Sequence, residues 1–351
     1  MIACGLQGLK NTGVNRMRRI YAILLLSLCW VVGCQISPRR GTASSGGGNT
    51  GGQLYVATPN GILHFSNAET SNGNVAPVGT ITATQISSPQ HLFIDTSADR
   101  LYVANQGGSS VLVFESASTL TGAATPSRVI AGNATTLAAP IDIAVDTTNN
   151  LLYVADGTSI RVFASASTVN GNTPPVRNIN LGISIGAIFL DAPNNQLYVS
   201  DPGDNAVDRL DGASSQDVVG IVGGAIAGPD TQLSQPRGLT LDTLGRIIVG
   251  NSANPVSLTT YPSAGAATGD VVPVINITGG NTHLQAPGQI ALNRNVTNGE
   301  LYVVEPLGAS ILVFTNINNT TGNLAPARSI NGSNTGLTAS AITGVAIDPT
   351  R

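Results

Sequence analysis

One strand-like phrase returns six times along this chain, and its period constrains the fold more than any other feature. It reads LYVAT at 54–58, LYVAN at 101–105, LYVAD at 152–156, LYVSD at 197–201, IIVGN at 247–251 and LYVVE at 301–305. The copies start 47, 51, 45, 50 and 54 residues apart. A second phrase follows each: GILHF 61–65, SVLVF 110–114, SIRVF 159–163, AVDRL 206–210, SLTTY 257–261 and SILVF 310–314. A third is HLFID 91–95, DIAVD 142–146, AIFLD 187–191, GLTLD 238–242, QIALN 289–293 and GVAID 344–348. A looser fourth is PVGTI 77–81, SRVIA 127–131, VRNIN 176–180, VVGIV 218–222, VPVIN 272–276 and ARSIN 327–331. Each unit is therefore four short runs rich in Val, Ile, Leu and Tyr, separated by Gly, Pro, Asn and Ser turns. That pattern predicts a four-stranded antiparallel sheet. With 41 Gly, 19 Pro and only 10% charged residues, the chain lacks the composition of a coiled coil. At 42% hydrophobic and a net charge of -3, it also lacks that of a disordered segment.

Repeats of this length with four strands each predict the blades of a β-propeller. The expected class is all-β, with six four-stranded antiparallel blades. The repeat begins at a second strand and ends at a first strand. Pairing Gly344–Asp348 with Leu54–Thr58 would complete one blade, satisfy both sheet edges and close the ring. The phrases P-x-x-I-A-x-D, LYVA[DN] and S-[IV]-x-V-F resemble the NHL-repeat and YVTN-type six-bladed propellers over residues 54–351. The resemblance bears on fold; function must come from a site.

The N-terminus reads as an address. Arg16, Arg18 and Arg19 precede an apolar run over 20–32, IYAILLLSLCWVV, followed by Gly33 and Cys34. A basic start, a short apolar stretch and a small residue describe a secretory signal. The run is shorter than the roughly 20 residues that a spanning helix needs. VVGC resembles a bacterial lipobox, with Val31 where Leu is usual; the resemblance implies cleavage after Gly33 and lipidation of Cys34. Gln35, rather than Asp, then implies the outer membrane of a Gram-negative cell, facing periplasm or surface. Met17 is an alternative start. The expected organisation is a signal peptide at 1–33, a lipidated Cys and flexible Gly/Ser tether at 34–53, and the propeller at 54–351.

Cleavage would remove Cys4, Cys29, the only Lys (Lys10) and the only Trp (Trp30). No disulfide and no Lys nucleophile would remain. The remaining 12 Arg against 19 acids give -7, which excludes a polybasic nucleic-acid surface. All twelve aromatics of the mature chain occupy repeat positions, so they predict packing between blades and leave none in a loop for a stacking platform. Asp95, Asp146, Asp191, Asp242 and Asp348, with Asn293, end the first strands before turns and predict backbone caps. Thr135, Thr231, Thr282 and Thr335 recur just as regularly.

Function should lie where the repeats differ. In a propeller the first strands line the central channel. At one level stand His91, Asp142, Ala187, Gly238, Gln289 and Gly344, where the family's usual residue is Gly. His91, Asp142 and Gln289 depart from it, and Arg237 stands one place earlier. These four are the candidate ligand-binding residues of the channel mouth. At the ends of the second strands, Asp156, Asp201, Asn251 and Glu305 offer oxygen donors that suit Ca²⁺. Six-bladed lactonases of the gluconolactonase type resemble this in using carboxylate and amide ligands for a divalent cation that activates water. Turn chemistry explains the same residues equally simply. His64, His91 and His283 lie in different blades and predict no zinc site.

The expected function is an exported, lipid-anchored binding or scaffold module without a cofactor, meeting an envelope protein or small extracytoplasmic ligand through the mouth. The alternative is a metal-dependent lactonase or related hydrolase. A closed ring hides its edges, so a monomer is expected.

Overall fold

The computed structural model describes residues 51–215, 223–262, 265 and 267–351. The signal, lipobox, Cys34 and most of the tether lie outside these residues. The described chain forms six sheets arranged as a ring. The innermost strands are Val345–Asp348, Pro89–Asp95, Pro140–Asp146, Ala187–Asp191, Pro236–Leu241 and Ile290–Asn293, and each neighbours the next around the axis. Numbering blades from the one that contains Gln53–Thr58, these strands belong to blades one to six in that order.

The ring closes as the repeat order predicts. Val345–Asp348 pairs antiparallel with Gln53–Thr58, with Val345 opposite Val56 and Asp348 opposite Gln53. Blade one is thus built from both ends of the repeat array.

The recurring phrase explains why closure matters. Side chains alternate between the two faces of a strand. Leu54 and Val56 pack toward blade six, among Tyr302, Val304 and Ile311. Tyr55 and Ala57 pack the other way, against Leu101, Val103 and Leu112 of blade two. Both faces of the sheet are apolar, so each blade needs a neighbour on either side. Six core clusters fill the six blade-to-blade interfaces. Tyr102 and Tyr153 add hydroxyl bonds across interfaces, donating to Ala166 O and Ala213 O at 3.1 and 2.8 Å.

An outer latch repeats as well. After its third strand each latched blade places a glycine beside the outermost strand of the preceding blade: Gly171 beside Ile130, Gly269 beside Ile226, Gly322 beside Ile277 and Gly73 beside Ile330. The residue that follows accepts a backbone bond from the preceding blade: Asn172 from Ala134, Asp270 from Asp230, Asn323 from Asn281 and Asn74 from Asn334. Those bonds tie down short 3₁₀ turns that end at Thr135, Thr231, Thr282 and Thr335. Each of these threonines donates to the carbonyl three residues back and accepts from the N–H two residues on. Their regular recurrence is structural.

The fourth strand of blade four differs from its expected position. It spans Gly223–Ile226, not VVGIV 218–222, whose residues lie outside those described. The correct alignment follows I-x-G-x-x-T-x-L: Ile130, Gly132, Thr135, Leu137 match Ile226, Gly228, Thr231, Leu233. Apolar density favoured the wrong segment; the buried threonine marks the right one.

Asp208 breaks the apolar pattern. It stands in the third strand of blade four, where Leu63, Leu112 and Leu312 stand in other blades. It is buried, and its Oδ2 makes no hydrogen bond. Burial first, then the charges of Asp201 and Asp204, push its carboxyl up to about 7. The folded state therefore holds a proton that the unfolded chain releases from about pH 4 upward. Stability from this group is present at low pH and is lost as pH rises through about 7, a total on the order of 4 kcal/mol. Asp208→Asn should raise the denaturation midpoint above pH 7 and flatten its dependence between pH 4 and 7. Truncation after Ala341, which removes Val345 and Ile347 from their cluster, should abolish the single cooperative thermal transition.

Candidate functional site

The channel is built by backbone proximity before side chains enter. At the predicted neck level, a Cβ on Gly344 would collide with Gln90 O, and one on Gly238 would meet Gly288 O at 2.5 Å. Adjacent innermost strands approach so closely there that these two positions exclude any side chain. The polar residues at the same level occupy what room is left.

Three of the four mouth candidates form a single layer. His91 Nδ1 lies 3.2 Å from Asp142 Oδ2. Asp142 is buried, and it accepts the Ile143 N–H at 2.8 Å and the Ile188 N–H of the next blade at 2.7 Å. Gln289 reaches further: its Oε1 accepts the Val345 N–H at 2.7 Å, and its Nε2 donates to Leu92 O at 3.3 Å. It joins blade six to blades one and two. Arg237 stands above this layer, exposed, with Ser200 Oγ donating to its carbonyl at 2.7 Å.

The layer divides the channel. Above it, Gln90, His91, Arg237, Gln235, Ser340 and Thr343 help line a polar basin of about 530 Å³. Below it, Asp142 and Gln289 cap an apolar cavity of about 380 Å³. The cavity walls include Phe93 and Phe189, which also pack against the blade-interface clusters as their repeat positions predict. Both are half-buried and face the channel region. Around the ring, their level reads Phe93, Ala144, Phe189, Thr240, Ala291 and Ala346. That alternation of large and small was the available signal; the repeat alignment contained it.

The four proposed metal donors are not gathered into one site. Asp156 accepts the Ala138 and Ala139 N–H groups at 3.1 and 2.6 Å. Asn251 accepts the Ser234 N–H at 3.1 Å, and Glu305 accepts those of Gln285 and Ala286 at 2.9 and 2.8 Å. In these three blades the residue at the end of the second strand holds the loop that leads into the first strand of the same blade. Asn105 does the same through Ser87. Asp201 instead caps its own turn, accepting from Gly203 and Asp204. Burial pushes the Glu305 carboxyl up, against the lowering effect of its two backbone bonds. Among the described residues, no group of three or more His, Cys, Asp or Glu side chains is placed to hold a metal ion.

The strand-end carboxylates act as caps: Asp95 accepts from Ser97 and Ala98, Asp146 from Thr148 and Asn149, and Asp242 from Leu244 and Arg246. His64 is buried and stacked on Tyr55 with centroids 4.7 Å apart, remote from His91 in the fold.

No family model matches the chain, and no curated protein matches it. Solved structures resemble it in shape. A chain from the crystal structure of the nidogen/laminin complex shares 14% identity and a TM-score of 0.58, covering 85% of this chain and 98% of that one. A protein of unknown function from Bacteroides caccae shares 10% identity and a TM-score of 0.56, covering 84% and 98%. A functionally unknown protein from Desulfotomaculum acetoxidans shares 13% identity and a TM-score of 0.52, covering 79% of each. At these identities the likeness extends to the fold alone.

Truncating a loop-holding carboxylate removes its charge-assisted bonds to part-buried N–H groups, each worth roughly 1–2 kcal/mol. Glu305→Ala should therefore destabilise the protein by about 2–4 kcal/mol, equally with and without EDTA. A loss seen only when calcium is present would reassign Glu305 to a metal.

Proposed function

We propose that this protein is a binding module of the NHL/YVTN repeat type, exported and held at the outer membrane by lipid on Cys34. Its mouth basin would meet an envelope protein or a small extracytoplasmic ligand. The observation that carries the reading is the basin itself: an exposed Arg237 above a neck layer that holds His91 and Asp142 where three other blades carry Gly or Ala. Functional asymmetry on a symmetric scaffold is where specificity resides. A fold of this shape also occurs in the nidogen/laminin complex, an assembly of two proteins.

The reading needs no resident cofactor. The hydrolase alternative draws no support from the geometry, because the oxygen atoms it requires for calcium hold entry loops and a turn. With both ends of the repeat array joined in blade one, no blade is left without a neighbour, and the module acts as a monomer.

Two measurements test the proposal. Cys34→Ser should abolish incorporation of a palmitate analogue and release the protein from the membrane fraction. A photo-crosslinking residue at Gln235 or Ser340, both exposed beside the basin, should yield an adduct in intact cells that Arg237→Ala removes. Equal adducts from Val176, exposed on the outer rim, would defeat the assignment of the basin.

A further inference from the structure

The neck separates the basin from a second space with different chemistry, and that space does not depend on the reading above. The lower cavity is walled by the innermost strands and opens past their far ends, where Thr96, Arg294 and Pro349 form its rim. Its volume of about 380 Å³ falls within the roughly 300–1,000 Å³ of small-molecule sites. The room has a specific origin. Phe93 and Phe189 project from blades two and four, while Ala144, Ala291 and Ala346 occupy the same level in three other blades. Two aromatic side chains thus lie beside space that smaller residues leave open.

Charge then selects the occupant. Arg294 lies over the Phe189 ring at 5.6 Å and donates to Leu241 O at 2.7 Å, so it reaches from blade six across to blades four and five. It covers part of the opening. Five aspartates end the innermost strands around the same rim: Asp95, Asp146, Asp191, Asp242 and Asp348. Arg246 and Arg351 pair with Asp242 and Asp348. Asp95, Asp146 and Asp191 then outnumber Arg294, so an anion approaching this rim meets net negative charge. A cation meets the Arg294 guanidinium at the opening, and the turns already occupy Asp95 Oδ1, both oxygens of Asp146 and Asp191 Oδ2.

We propose that this cavity binds a compact, uncharged, aromatic-bearing molecule, entering from the Arg294 face and stopping beneath the Asp142–Gln289 layer. The site faces away from the basin, so its failure and that of the basin reading are separately observable.

The probe is 1-naphthol, titrated into the full chain with labelled alanine methyl groups and followed by NMR. The Ala144, Ala291 and Ala346 methyls should shift together and saturate at one equivalent. Ala291→Phe installs the residue that blades two and four already carry at this level, and should reduce affinity at least tenfold. Should that variant lose its thermal transition, Ala291→Leu reads the same loss in a milder form. The anion 1-naphthalenesulfonate should bind at least tenfold more weakly than the naphthol. Saturable shifts that persist in the filled variant would overturn the proposal, as would equal affinity for the sulfonate. So would the absence of any saturable shift of these methyls, which would make the cavity a solvent channel.

Discussion

Everything in this structure depends on each blade being apolar on both faces. A strand such as Leu54–Ala57 sends alternate side chains into two different cores. No linear stack of such sheets can satisfy its two ends, because the terminal sheets would each expose a complete apolar face. Curving the stack until its ends meet removes both faces at once. The pairing of Val345–Asp348 with Gln53–Thr58 is the hydrogen-bonded counterpart of that requirement, since one sheet then contains both ends of the array. The outer latch acts at larger radius in the same sense: Gly73 and Asn74 bind blade six as Gly171 and Asn172 bind blade two. Closure at two radii resists opening of the ring better than either contact alone.

The same geometry determines where variation is tolerated. Near the axis, neighbouring backbones approach until a single Cβ would collide, as at Gly238 and Gly344. A polar side chain can exist at that level only by replacing backbone contacts with its own hydrogen bonds. Asp142 and Gln289 do so, each bonding to strands of other blades. They are simultaneously the most distinctive residues of the channel and part of what fixes its width. Function and packing are therefore not separable at the neck, whereas Arg237, one residue outside it, is free of that constraint. The basin residue with the fewest structural duties is the one best suited to recognise a partner.

The six blades, their strand order and the closing pair were legible in the sequence because each rests on a repeated local pattern. The strand-end aspartates were legible for the same reason. What escaped was three-dimensional. The roles of Asp156, Asn251 and Glu305 in holding loops 17 to 20 residues upstream leave no local signature beyond a polar residue at a strand end. The fourth strand of blade four differs from the expected segment because a half-buried outermost strand needs few apolar residues, and Gly223–Ile226 carries fewer than VVGIV. Phe93 and Phe189 pack at blade interfaces as their repeat positions predict; the cavity they also line depends on small residues at the same level in other blades, which only the closed ring brings together.

That last case exposes the limit of arguing from symmetry. A residue type repeated in every blade, such as the capping aspartate, is accounted for by a need every blade has. A residue at a repeated position but of unrepeated type is different: the position explains its direction, and only the type carries information. Phe93 and Phe189 line the channel region because their strands do, yet alanine stands at the same level in three other blades. Asp208 follows the same logic, since its strand directs it into a blade interface that leucine fills elsewhere. In a fold built from copies, departures in size and charge at equivalent positions are the proper units of comparison: those at His91, Asp142, Gln289, Phe93 and Phe189 lie along the axis, and that at Asp208 lies in a blade interface.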